Sequence, residues 1–117
     1  AEMLPAIDDY YWTMAARRRL LYVQREGAPV ALCTFFILDS EAEVPRYHQR
    51  PMWSTPSDTP SGTVLYIDKL LGLDWDRDLF RAIEGAITEA VPQWQVAVWY
   101  RPSQDEDRRY TYRRRDV

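Results

Sequence analysis

One histidine, His48, and one cysteine, Cys33, bound the side-chain chemistry open to this sequence. Zinc sites draw three or four ligands from Cys, His and carboxylates. These two residues fall on different kinds of element, so no metal centre is expected. His48 has hydroxyl neighbours at Ser54, Thr55 and Ser57, but nothing in the spacing joins them into a nucleophile and base. Set in a loop of Arg, Pro and Trp, it reads as a contact residue. Cys33 lies in the apolar run Ala31-Leu32-Cys33-Thr34-Phe35, which favours a buried structural thiol over a nucleophile. Asp74, Asp76 and Asp78 alternate as in a calcium loop but lack its glycine and distal glutamate, so helix capping explains them better. Asp68, in Tyr66-Ile67-Asp68-Lys69, is a charge inside an otherwise apolar strand. It faces a cleft, or it pairs with Lys69 or an arginine at a sheet end; the second, on a solvated edge, is favoured.

The chain is better supplied for binding than for catalysis. All but one of its 15 basic residues are arginine, the exception being Lys69, and it carries 5 Trp and 8 Tyr. Arginine offers a rigid, weakly hydrated fork for carboxylates, phosphates and aromatic faces, and these three residue types dominate binding hot spots. The bias fits a protein made to be assembled, and equally the habit of an Arg-rich proteome. Two basic clusters, Arg17 to Arg19 and Arg108 to Arg115, the latter interleaved with Tyr110 and Tyr112, could neutralise phosphate and stack bases. A net charge of −3 supplies no global field to recruit nucleic acid. A solvated helix end for the first cluster and a charge-blunted sheet edge for the second compete with that reading.

The elements that must position these residues follow from periodicity. Residues 5–18 read as a helix: Pro5 suits its first turn, Asp8 and Asp9 complement its positive end, and Leu4, Ile7, Tyr11 and Met14 form one stripe. A hairpin follows, with a strand over 20–25, a turn at Glu26-Gly27-Ala28 and a return from Pro29 to Leu38. That return is apolar on both faces and should be a central strand covered on both sides. The 39–62 stretch, with Pro45, Pro51, Pro56 and Pro60, breaks the pattern. Loops of this length are usually functional or disordered. Its Tyr47, His48, Met52 and Trp53 favour an ordered arm or binding loop. A third strand spans 63–71. A helix capped by Asp74 or Asp76 then carries Trp75, Leu79, Phe80, Ile83, Ile87 and Val91 at helical spacing until Pro92 ends it. Residues 95–100 form a fourth strand. Pro102 opens a polar turn, and 108–115 forms an Arg/Tyr-rich last strand, its alternation clearest over 109–113.

At 117 residues the chain should be a single domain, 1–117, and its 46% hydrophobic content is enough to fold. The expected fold is α/β (α+β): a mixed, mainly antiparallel sheet of about five strands flanked by two helices, in the order α-β-β-loop-β-α-β-β. The β-α-β step at 63–100 implies a parallel pair with a right-handed crossover. No stretch nears the roughly 18 apolar residues of a membrane span, so no membrane partner is expected. The first residues lack the basic and apolar regions of a secretion signal. A lone cysteine, which cannot form an internal disulfide, fits a reducing compartment.

This order resembles the core of the GNAT acyltransferase family: a hairpin, a strand leading to a phosphate-binding turn, a helix and a further strand. The matching parts are 20–38, 63–71, 76–91 and 94–100, and the hairpin Val23-Gln24-Arg25-Glu26-Gly27-Ala28-Pro29-Val30-Ala31 is similar to the family's. The family holds the coenzyme A pyrophosphate in a turn of the form Gln/Arg-x-x-Gly-x-Gly/Ala, where glycines let backbone amides approach the phosphates. Here the corresponding stretch is Leu71-Gly72-Leu73-Asp74-Trp75-Asp76-Arg77-Asp78, with one glycine and three aspartates that repel an anion. The resemblance therefore implies a degenerate scaffold without coenzyme A binding in the family's manner, and no cofactor is expected.

The resulting expectation is a non-enzymatic structural or protein-interaction component, cytoplasmic, or in the virion if encoded by a bacteriophage or prophage. A protein partner or homo-oligomer is expected, with Tyr47, Arg50, Trp53, Arg109 and Tyr112 as contacts. A small acyl-CoA-dependent N-acyltransferase and a nucleic-acid-binding module are the alternatives.

Overall fold

The computed structural model describes residues 3–51, 54–72, 76–101 and 106–115. It contains a five-stranded sheet in sequential order: β1 (Leu20–Arg25), β2 (Ala28–Leu38), β3 (Val64–Gly72), β4 (Val96–Arg101) and β5 (Arg108–Arg113). The β3–β4 pair is parallel and the other three are antiparallel. The expected mixed, mainly antiparallel sheet is present. Among the described residues three α-helices accompany it rather than two: α1 (Met3–Ala16), the short α2 (Val44–His48) and α3 (Arg77–Ala90).

The hairpin between β1 and β2 is tighter than the sequence suggests. Only Glu26 and Gly27 lie outside the strands, both with positive φ (54° and 82°), the backbone of a two-residue type I′ turn. As its two-sided apolar pattern requires, β2 is central. Cys33, Phe35 and Ile37 point to the α3 side with Leu65, Leu79, Ile83 and Trp94. Phe36 and Leu38 point to the other side with Tyr10 and Met14 of α1, Val44 and Tyr47 of α2, and Tyr66. Tyr10 and Met14 are spaced i, i+4, so one turn of α1 lays both on the same face. On α3, Leu79, Ile83 and Ile87 are buried, whereas Phe80 is 40% exposed. Trp75, placed on the same stripe by its spacing, lies outside the described residues.

Cys33 is buried, and loss of hydration pushes its thiol up to about 12. A thiol held so far from its thiolate is a poor nucleophile. Native protein should therefore react with an aromatic disulfide reagent at pH 8 at least about a hundredfold more slowly than protein in urea. Equal rates in the two states would contradict the packing.

In the 39–62 arm, the described residues 39–51 and 54–62 lie against the sheet. The arm holds a short 3-10 turn at Glu41–Glu43 and then α2, which periodicity did not reveal because neither is long enough to show one. Ser40 and Glu43 form a capping box, and Pro45 sits in the first turn of α2. Beyond Leu20, where β1 no longer flanks β2, the arm supplies the missing partners. Ile37 N donates to Asp58 Oδ2 (2.7 Å), and Thr59 N donates to Ile37 O (2.8 Å). Arg19 grips Asp58 with two nitrogens (2.7 and 3.1 Å), and Arg17 Nη1 donates to Thr55 O (2.7 Å). The first arginine cluster is therefore not simply a solvated helix end: Arg17 and Arg19 are the clamps that hold the arm down.

Candidate functional site

The site is built where β3 and β4 part. They pair from Val64–Ile67 against Val96–Trp99, and each runs on without the other, to Gly72 and Arg101. A cleft of about 540 Å³ opens between them, bordered by Asp68, Lys69, Leu70, Trp99, Tyr100 and Arg101 among others. Asp68 stands at its root for a specific reason. Thr34 of β2 pairs with Lys69 while the next residue, Phe35, pairs with Ile67, so Asp68 is the extra residue of a bulge. Bulges bend a strand and re-aim its side chains.

Asp68 is thus not on a solvated edge. Its side chain is only 6% exposed and meets the guanidinium of Arg50, itself 9% exposed, through Arg50 Nη2 to Asp68 Oδ2 (2.6 Å) and Nη1 to Oδ1 (3.1 Å). The expectation of a pairing with an arginine holds; its position at the edge is corrected, because β3 is an interior strand and the bulge turns the carboxylate inward. Tyr10 Oη donates to Asp68 Oδ2 as well, and Tyr66 Oη lies 3.2 Å from Oδ1. The Tyr10 oxygen is 2.6 Å from Thr34 Oγ1, which accepts from Lys69 N (3.1 Å). The directions close without conflict: Lys69 N–H to Thr34, Thr34 O–H to Tyr10, Tyr10 O–H to Asp68.

Electrostatics follows from this arrangement. Burial by itself raises the pKa of Asp68. Hydrogen bonds from Arg50 and Tyr10, with the Arg50 charge, outweigh burial and hold the carboxyl below its usual range. Tyr10 and Tyr66 are pushed well up, first by burial and then by the neighbouring carboxylate. Burial lowers the Arg50 pKa, but its contacts with Asp68 prevail and hold the guanidinium firmly protonated. Arg50 also lies over the Phe36 ring, 4.8 Å from its centroid, and donates to the carbonyls of Tyr47 (2.8 Å) and Ser54 (2.7 Å).

The network reaches the surface through His48. Its Nδ1 is 2.9 Å from Tyr66 Oη, its Nε2 is 2.9 Å from Asp107 Oδ2, and its ring stacks on Tyr100 with centroids 3.7 Å apart. His48 is a contact residue, but within the chain: it ties the arm to β3 and to the segment before β5. Chemically, the cluster is a set of polar groups already turned toward one another. Both carboxylate oxygens of Asp68 are occupied, and both nitrogens of His48 are engaged. Among the described residues no group of three or more Cys, His, Asp or Glu could hold a metal ion.

A second place to consider is the N-terminus of α3, where backbone N–H groups and the helix dipole favour an anion. Asp76 fills that place. It caps α3 by accepting from Leu79 N (2.7 Å) and pairs with Arg25 Nη2 (3.1 Å). Its pKa is lowered, chiefly by the Arg25 hydrogen bond and then by the Leu79 amide. Asp74, the alternative cap, lies outside the described residues.

Of the five expected partner contacts, the structure turns two inward. Tyr47 is 5% exposed and donates to Ser57 O (2.7 Å), and Arg50 serves Asp68. Trp53 lies outside the described residues. Arg109 and Tyr112 remain accessible on opposite faces of the edge strand β5. Arg109 lies 3.9 Å from Glu41, which Arg113 also grips at 3.1 Å. Tyr112 is 41% exposed and leans on Trp94. That the arginine facing Asp68 is Arg50 escaped the sequence reading because the two residues come from the arm and a strand. The only available signal was the charge within an apolar strand.

No family model matches this sequence, and no curated protein matches it. Among solved structures it is similar to GphF, a GNAT-like decarboxylase in complex with isobutyryl-CoA, with a TM-score of 0.51 and 18% sequence identity. The likeness covers 78% of this chain and 48% of that one, so the chain spans about half the length of that neighbour. The fold is GNAT-like.

Proposed function

From that GNAT-like fold, we propose that the chain is a non-enzymatic interaction component on a scaffold no longer used for acyl transfer. The observation that carries this reading is the α3 N-terminus, where its own carboxylate, Asp76, sits with Arg25 in the position a coenzyme A pyrophosphate would need. The network around Asp68 supports it too, since neither Asp68 nor His48 is left as an unengaged base. The partner surface is the edge strand β5, whose alternating arginines and tyrosines are of the kind that anchors interfaces. A bacteriophage particle or an accessory assembly is the proposed setting.

Light scattering after size exclusion, on protein purified from its native source, tests the proposal. The expected result is a homo-oligomer, or a complex with one partner at fixed stoichiometry. The double substitution Arg109→Ala with Tyr112→Ala should weaken it at least about tenfold, as loss of two hot-spot side chains does. A monomer that gains no mass, together with saturable heat on adding acetyl-CoA, would overturn the proposal in favour of an N-acyltransferase.

A further inference from the structure

β5 is the outer strand of the sheet: it pairs with β4, and no strand of the described residues lies beyond it. Arg114 N donates to Gln95 O at 2.8 Å, in register with the β4–β5 pairing. Hydrogen bonding alternates along an antiparallel strand, so the N–H and C=O groups of Arg109, Thr111 and Arg113 turn away from β4. These are the groups to which an added strand would bond.

The two faces of that edge differ in chemistry. Arg109, Thr111 and Arg113 share the α1 side with Val96 and Val98, to which they or their neighbours pair. There the Glu41 carboxylate lies 3.9 Å from Arg109 and 3.1 Å from Arg113. Two guanidinium charges thus share one carboxylate, and the Arg113 side chain is 66% exposed. Tyr110 and Tyr112 lie on the α3 side, Tyr110 stacked on Trp99 and Tyr112 leaning on Trp94. Surplus positive charge on one face and aromatic rings on the other, at the two-residue period of a strand, match carboxylates and apolar side chains in alternation. A second copy of β5 does not supply them. Antiparallel pairing of the whole strand, centred on Thr111, sets Arg109 against Arg113, and like charges directly opposite repel. The arginines guard the edge against its own copies and leave it open to a strand of opposite charge.

We infer that β5 binds an acidic, extended peptide segment by strand addition. Its carboxylates lie beside Arg109 and Arg113, and its apolar side chains lie beside Tyr110 and Tyr112. This rests on the reading of β5 as the partner surface and gives that partner its chemistry.

The probe is an acetylated, amidated peptide of four Glu-Val repeats, titrated into the full chain and followed by proton–nitrogen NMR. Saturable binding is expected, with the largest shifts in β5 and slowed hydrogen exchange at the amides of Arg109, Thr111 and Arg113. Gln-Val repeats of the same length should bind at least about fivefold more weakly, for loss of two charge pairs. The Glu-Val peptide should lose as much against Arg109→Gln with Arg113→Gln. Methyl groups on the glutamate backbone nitrogens block an antiparallel strand, and on the valine nitrogens a parallel one. One of these two peptides should bind at least about tenfold more weakly. The inference falls if the Glu-Val peptide does not saturate, if the uncharged peptide matches it, if neither methylation matters, or if the protected amides lie outside β5. A single-stranded oligonucleotide that bound β5 more tightly than the peptide would assign the arginines to phosphate and overturn it as well. A native complex weakened by Arg109→Ala with Tyr112→Ala, beside a peptide that does not bind, would overturn this inference and leave the assembly reading in place. Peptide binding by a protein that is monomeric from its native source would uphold the strand site and count against that reading.

Discussion

Replacing Arg50 with Met should destabilise the protein by about 3–5 kcal/mol, the cost of leaving a buried carboxylate without its partner. Asp68 cannot relax toward water, because its side chain is 6% exposed at the bulge of β3. The arm suffers as well, since Arg50 also holds the carbonyls of Tyr47 and Ser54. Asp68→Asn should cost a similar amount by stranding the guanidinium. The double variant should be less damaged than the sum of the singles, because neither charge is then left alone. Urea unfolding of the four proteins measures this; strict additivity would show that the pair is not coupled.

The same pair sets an acid limit. The folded pKa of Asp68 lies below its unfolded value, near 3.9. Its contribution to stability is therefore fully present above that unfolded value and is lost as pH falls through the depressed folded one. The stability gap between wild type and Asp68→Asn should be flat from pH 7 to about 5 and then shrink as pH falls below about 4. A gap that widened in acid would reverse the sign and exclude a depressed pKa.

Gly62→Ala is the second large effect. A Cβ at Gly62 would lie 2.2 Å from Leu38 O and 2.6 Å from Leu38 C, both backbone atoms at the end of the central strand. A flexible side chain could swing away from such a contact; the backbone of β2 cannot without losing register with β3. The expected cost is about 3 kcal/mol, the upper end for overpacking, with a melting temperature lower by about 10 °C. Gly85→Ala is the control: beyond its chain neighbours and its own helix's backbone, nothing lies within 4 Å of an added Cβ, and in a helix the change should be neutral or stabilising. Equal melting temperatures for Gly62→Ala and wild type would show that the arm can move away from β2.

Local pattern determined most of the architecture. The two-sided apolar run 30–38 could only be an interior strand. The 3.6-residue spacing of Leu79, Ile83 and Ile87, closed by Pro92, could only be a helix on a sheet. The Arg/Tyr alternation at 109–113 placed the last strand, and the aspartates after Gly72 offered the cap of the following helix, which Asp76 supplies. These features are written within ten or so neighbouring residues, where periodicity and capping act.

Tertiary structure alone decided what the charged residues do. Arg50 and Asp68, 18 positions apart, meet only because the arm folds back over a bulge in β3. Arg19 reaches Asp58, and His48 spans Tyr66 and Asp107, by the same folding. An arginine in a proline-rich loop reads as an exposed contact because long polar side chains ordinarily favour water. It is buried here because a carboxylate and two carbonyls replace that water at hydrogen-bonding distance, and that exchange depends on distances in space that sequence spacing does not encode.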